Sequence, residues 1–110
     1  MHRTATESCG LGRALTVIGG KWKSTIIWLL HEEPMGFGAL RRKLPGISEK
    51  ILSEQLRSLE QEQVVDRHLS DGPVIRTTYS LTPRGQELNA AVHALALWGS
   101  SYPAESEAEP

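Results

Sequence analysis

Cysteine is nearly absent: Cys9 stands alone among 110 residues. One thiol cannot close an internal disulfide, which places the protein in a reducing compartment, the cytosol. Long hydrophobic runs are missing too. No apolar stretch approaches the roughly 20 residues needed to span a bilayer, so no membrane partner is expected. The first residues lack the charged, then apolar, then small order of a secretory leader. The histidines His2, His31, His68 and His93 have no metal-ligand spacing, so neither a metal nor a cofactor is expected. No Ser/His/Asp set, paired-carboxylate constellation or Gly-rich phosphate loop emerges. Nothing in the chain is equipped to run a reaction, and an enzyme is not expected. There are no internal repeats.

A large excess of positive charge is also lacking, since the net charge is −1. Its distribution matters more than its sum. Residues 1–84 hold 12 Lys and Arg against 9 Asp and Glu, a balance of +3, whereas residues 85–110 hold none against 4, a balance of −4. The densest basic cluster is Arg41-Arg42-Lys43. The last acids, Glu105, Glu107 and Glu109, lie in a segment with Pro, Ala and Ser that reads as a disordered tail over 103–110. Residues 1–8 read as a flexible arm, leaving one domain over 9–102. A hydrophobic share of 39% and a charged share of 23% fit a soluble globular domain with a modest core.

Within that domain the pattern is mostly helical. Leu11, Ala14, Leu15 and Ile18 recur at helical spacing over 11–18. Gly19-Gly20 breaks this helix, and a second runs from about 21 to 32, with Trp22, Ile26, Leu29 and Leu30 on a wide apolar face. "HEEPMG" stops it. A short helix over 38–44 turns Phe37, Leu40 and Leu44 inward. In "LPGIS", Pro45 disfavours helix at Leu44, Gly46 permits an unusual turn and Ser48 can cap the next helix. Ile47 precedes that cap and can pack on the core.

The fourth helix, about 48–62, lies in "PGISEKILSEQLRSLEQEQVV". On a wheel centred on Leu52, Leu56 and Leu59 fall within about 40° of it, while Lys50, Ser53, Glu54 and Arg57 lie roughly opposite. That polar face is either solvated or aimed at a partner. Two strand-like runs, "VVDRHLS" and "VIRTTYSLT", flank a "DGP" turn and read as a hairpin. Thr82-Pro83 can start a last helix. Its residues Leu88, Ala91, Leu95, Trp98 and Tyr102 form a two-heptad seam suited to pairing with another helix. Helix, helix, short helix, helix, hairpin, helix is the order of a winged helix-turn-helix: mostly α with a small β-hairpin.

"CGLGRALTVIGGKWK", "FGALRRKLPGISEKILSEQLRSLE" and "YSLTPRG" resemble blocks of the HxlR-type bacterial transcription regulators. The likeness runs from Cys9 to about Trp98. It implies a winged helix-turn-helix homodimer, related in architecture to MarR-type proteins and built on its N- and C-terminal helices. Leu11, Leu15 and the seam are then interface residues. Two departures stand out. Gln63-Val64 replaces the family's usual Gly-Leu after the recognition helix, so Gln63 either adopts a left-handed conformation or ends the helix differently. Thr77-Thr78 stands where Val-Glu is often found, which removes an acid near the DNA side.

The resemblance makes the fourth helix the DNA reader and the hairpin the wing. Ser48, Lys50, Ser53 and Arg57 are then the candidates for groove contact, because Arg and Lys can read guanine edges. Glu54 is expected to pair with Lys50, four residues away. One or two of Arg41, Arg42 and Lys43 are expected on phosphate, and Arg76 on the wing reaches either the backbone, the minor groove or solvent. Trp22, Trp28, Trp98 and Tyr102 read as core and dimer packing rather than a ligand-stacking box. Cys9 has two readings. Several members of this family sense oxidants or electrophiles through a cysteine at this motif position, and a helix N-terminus favours the thiolate. The other reading is a small residue packed in the dimer interface.

The implied function is a dimeric repressor binding an inverted-repeat operator in double-stranded DNA, with an oxidant or small molecule as effector. The competing reading is a winged-helix protein-interaction module, or a ligand-responsive regulator without cysteine sensing.

Overall fold

The computed structural model describes residues 9–102. The expected arm over 1–8 and acidic tail over 103–110 lie outside the described residues. Helix α1, Gly10–Ile18, begins at Cys9, whose Sγ accepts the Gly12 N–H at 3.2 Å as an N-cap. Helix α2, Lys23–Glu32, starts two residues later than its pattern suggested. Trp22 is the flanking residue, half-buried, with the Lys21 ammonium 4.7 Å from its ring centre. The fully buried positions of α2 are Ile26, Ile27 and Leu30, with Leu29 only partly covered. The expected face omitted Ile27. The reason is that α2 packs against α1, the recognition helix, the sheet and the last helix together, so its burial is not confined to one stripe.

Strand β1, Met35–Gly36, was not foreseen. It is two residues long and carries no periodicity of its own; it exists because Met35 and Gly36 pair with Tyr79 and Thr78. Helix α3, Phe37–Arg42, ends two residues before its expected limit. Leu40, Leu44 and Ile47 are buried, and Gly46 turns the chain at φ +89°. Helix α4, Glu49–Gln61, is capped by Ser48, whose Oγ accepts the Ile51 N–H at 3.1 Å. Its Leu52, Leu56 and Leu59 are buried as the wheel requires.

Strands β2, Val65–Leu69, and β3, Thr77–Leu81, form an antiparallel hairpin, with β3 central in the order β1-β3-β2. Val74, Ile75 and Arg76, expected in the second strand, belong instead to its loop. Ser70 fixes that loop: its N–H donates to the Arg76 carbonyl, its Oγ accepts the Arg76 N–H, and its hydroxyl donates to the Val74 carbonyl, at 2.9, 2.9 and 3.0 Å. Tyr79 of β3 joins the core, and burial pushes its phenol pKa up, with Glu60 adding to the shift and Arg67 opposing it.

Helix α5, Pro83–Ser100, has Thr82 as N-cap and proline in its first turn, as the sequence indicated. It presents two faces. Gly85, Asn89 and Val92 point inward, and His93 stacks on Trp28 of α2 with ring centres 5.2 Å apart and planes within 4°. Leu95, Trp98 and Tyr102 face outward, with Trp98 and Tyr102 5.6 Å apart. Leu88 of the expected seam is partly spent on the protomer's own core, whereas Ala91 is exposed.

Candidate nucleic-acid interface

Helix α4 is held from below and free above. Three leucines anchor one side, leaving Lys50, Ser53, Glu54 and Arg57 exposed on the other. Lys50 and Arg57 are seven residues apart, so they project from nearly the same side, about 10 Å apart along the axis. That span suits side chains reaching different base pairs of one major groove. The expected Lys50–Glu54 pair is not among the ion pairs of the described residues. Lysine preceding glutamate is the weaker order for such a pair along a helix. Glu54 and Lys50 therefore stand independently on the surface.

The basic cluster divides. Arg41 crosses the turn: its Nη1 meets Glu49 Oε1 at 3.0 Å and its Nε donates to the Ile47 carbonyl at 3.5 Å. It links the end of α3 to the first turn of α4 across the connecting turn. Arg42 and Lys43 are exposed at the end of α3. The Arg76 side chain is exposed in the wing loop. Ser48 uses its hydroxyl as the cap of α4, so its remaining hydrogen-bonding capacity faces outward at the helix N-terminus, the end that favours phosphate.

Behind α4 lies a junction of which sequence reasoning foresaw one part, the left-handed conformation open to Gln63, and missed the contacts around it. Gln63 adopts a left-handed conformation, φ 61°, and takes the place where glycine serves most easily. The carbonyls just past the helix are all engaged. Arg84 Nε donates to Glu62 O at 3.0 Å, Thr82 Oγ1 to Gln63 O at 2.6 Å, and the Thr82 N–H to Val64 O at 3.0 Å. Gly85 lies so close that a Cβ there would collide with the Val64 carbonyl oxygen. Thus α5 is bolted to the end of the recognition helix. The signal was present in "TPRG", read only as a helix start. Replacing Gln63 with glycine is expected to relieve the left-handed strain and stabilise the fold by about 1 kcal/mol, raising Tm by roughly 5 °C in a thermal melt.

Beside this junction, α1 and α5 border a groove of about 760 Å³. Its apolar floor includes Val17, Val64 and Leu88, and Arg13, Arg84 and Glu87 stand along it. Cys9 is exposed at the head of α1, next to Gly10, which lines the groove. On the outer faces of the same two helices Leu11 is 70%, Leu15 48%, Leu95 55%, Trp98 69% and Tyr102 66% exposed. No helix among the described residues is long and apolar enough to cross a membrane.

A helix-turn-helix carried on a three-stranded sheet, with a hairpin wing and a long final helix, defines the class: a winged helix-turn-helix regulator. The chain belongs to the HxlR-like helix-turn-helix family, which matches residues 17–107. It is 34% identical over 102 residues to YkvN, an uncharacterized HTH-type transcriptional regulator of Bacillus subtilis, covering 93% of this chain and 86% of that one. The fold superposes on the redox regulator HypR in its reduced form with a TM-score of 0.81 at 33% identity, covering 84% of this chain and 92% of HypR. It also matches the quinone-bound form of the regulator YodB from B. subtilis, with a TM-score of 0.68 at 32% identity over 82% of this chain and 94% of YodB. The protein is therefore a transcriptional regulator of the HxlR type, and DNA binding is the work of its class.

Proposed function

We propose that the protein is a homodimeric repressor that reads an inverted-repeat operator through α4, with its DNA affinity set by the chemical state of Cys9. The observation that carries the reading is the exposed Lys50–Ser53–Arg57 face on a helix whose opposite side is locked into the core. Arg57 and Lys50 read base edges, Ser53 and Ser48 take weaker polar or phosphate contacts, and Arg42, Lys43 and Arg76 neutralise phosphates. Arg41 is assigned mainly to holding the turn. Leu11, Leu15, Leu95, Trp98 and Tyr102 supply the apolar dimer face, with Ala91 and the rim of Leu88 beside them. Two symmetric recognition helices call for half-sites about one helical turn, roughly 10 bp, apart. If the dimer neutralises about eight phosphates, affinity falls steeply with salt.

The sensing half rests on position and on relatives. HypR has oxidised and reduced forms, and YodB has a quinone-bound form. Here Cys9 caps α1, which lies on the expected dimer face and borders the groove. An electrophile would form a carbon–sulfur bond to the thiolate. An oxidant such as hypochlorite would instead take two electrons from a pair of thiols, joining Cys9 to Cys9 of the partner subunit. Either change displaces α1 and, through the α5 junction, the recognition helices. The groove also favours a second reading, a regulator that binds a small amphipathic ligand there and does not use Cys9.

The test starts with reduced protein and sheared genomic DNA of its source organism at moderate salt, followed by sequencing of the captured fragments. A few fragments sharing an inverted repeat support the regulator reading. No enrichment by a folded dimer, with or without candidate effectors, favours a protein-interaction module and cytosolic protein partners. On a captured operator, oxidant or quinone is expected to weaken binding of the parent and leave a Cys9→Ser variant unaffected. An equal response in both would sink the sensing role and favour the groove-ligand reading.

A further inference from the structure

Helix α4 carries three acids, Glu49, Glu54 and Glu60. The two near its ends are each tied to an arginine of another element. Arg41 Nη1 meets Glu49 Oε1 at 3.0 Å, and Arg67 Nε of β2 lies 3.5 Å from Glu60 Oε1. The Glu54 carboxylate enters no ion pair among the described residues. It is exposed, one helical turn from Lys50 on one side and from Arg57 on the other. By the rise of a helix it stands about 6 Å along the axis from Lys50 and about 4.5 Å from Arg57. An unpaired carboxylate therefore sits between the two cations proposed to read base edges, on the same exposed face.

A carboxylate in that place works against general DNA affinity. It repels the phosphates and neutralises none of their charge. Most of what the major groove displays repels it too. Guanine presents N7 and O6, thymine presents O4, and adenine sets its N7 acceptor beside its N6 donor. Cytosine alone offers an amino group, N4, with no acceptor beside it on the same base. Its partner guanine presents the acceptors that suit Arg57 or Lys50. We infer that Glu54 is a specificity-determining residue: its carboxylate accepts a hydrogen bond from the N4 amino group of one cytosine in each half-site and disfavours the other three bases there. Arg57 or Lys50 then takes a guanine of the same or the adjacent pair, and its charge offsets the carboxylate inside the groove. The inference rests on the DNA-reading function proposed for α4.

The experiment measures equilibrium affinity for the full chain and for Glu54→Ala and Glu54→Gln variants. The duplexes are a captured operator, the same operator with each half-site position changed in turn, and an unrelated sequence of equal length. Glu54 is exposed, so both variants are expected to keep the parent's Tm. The parent is expected to prefer cytosine at one position by about tenfold. Glu54→Ala should lose that preference and bind the unrelated duplex more tightly, because a repulsion has gone. Glu54→Gln should admit adenine at the same position, since a side-chain amide matches N6 and N7 together. A cytosine preference retained in Glu54→Ala, whether affinity stays level or rises by one factor on every duplex, would leave Glu54 a solvated charge and overturn the inference. So would adenine still excluded about tenfold by Glu54→Gln. Preference lost at several positions together would mean that Glu54 holds α4 in place and touches no base, which also overturns it. In each of these cases Arg57→Ala still relaxes discrimination at its own base pair, so the groove reading of α4 stands. A parent with no preference among the duplexes removes that reading and this inference with it.

Discussion

An Arg57→Ala variant is expected to bind operator about 10- to 100-fold more weakly than the parent, with the fold unaltered, and Arg57→Glu is expected to abolish specific capture. Arg57 is exposed on α4 and enters no ion pair among the described residues. Its removal therefore subtracts little from stability, since exposed substitutions of this kind are usually within about 0.5 kcal/mol. What it removes is a guanidinium fork, the side chain best matched to the two acceptors of guanine in the major groove. The loss should be concentrated at one base pair of the half-site, so discrimination there relaxes. Lys43→Ala provides the contrast: it should weaken binding evenly across sequences and lower the salt slope by about one per site. Affinity measured on operator and on point-substituted operators separates these patterns. If Arg57→Ala weakens all duplexes equally, Arg57 touches phosphate and the base reader lies elsewhere on α4.

Substituting Gly85 with alanine is expected to destabilise the protein by about 3 kcal/mol and lower Tm by roughly 15 °C. The new Cβ would meet a backbone carbonyl, that of Val64, with Leu81 Cδ2 pressing from the side at 3.2 Å. A side-chain end can rotate away; a carbonyl between a helix end and a strand cannot move without shifting both. The displaced segment is the one that carries the left-handed Gln63 and receives Thr82 and Arg84. A loss of this size is a large part of the roughly 5–15 kcal/mol that holds an ordinary domain together. Thermal unfolding of the two proteins measures it. The change should also loosen α5 against α4, so any residual folded fraction is expected to bind operator less tightly. A Gly85→Ala variant as stable as the parent would mean that the junction yields, and would remove the basis for its role as a rigid link.

These two substitutions show what was legible in the chain. The exposed position of Arg57 could be read from the sequence because helical periodicity alone sets Leu52, Leu56 and Leu59 against Lys50, Ser53 and Arg57. The caps were equally local: Ser48 and Thr82 announce helix starts by their side-chain chemistry, and Cys9 proved to occupy the corresponding position on α1. The importance of Gly85 is of another kind. Glycine in a helix's first turn has many explanations, and only the approach of Val64, from the far side of the hairpin, selects one. Arg41 was read as a phosphate candidate because nothing local reveals Glu49, eight residues on across a turn, as its partner.

By itself, then, the sequence determined the order of helices and hairpin, the buried side of α4 and its polar opposite, and membership in a regulator family. Those properties arise from periodicity, capping and spaced motifs, which act over one or two turns of chain. Tertiary structure decided the rest. It added β1, which has no strand signal and forms only because β3 offers unpaired backbone groups. It moved Val74 and Ile75 from a strand to an exposed tip, because Ser70 closes the loop across six residues. It turned Gln63 left-handed and brought Thr82, Arg84 and Gly85 onto the end of α4. Each of these depends on hydrogen bonds or close packing between segments distant along the chain, and such contacts have a geometry only once the core has formed.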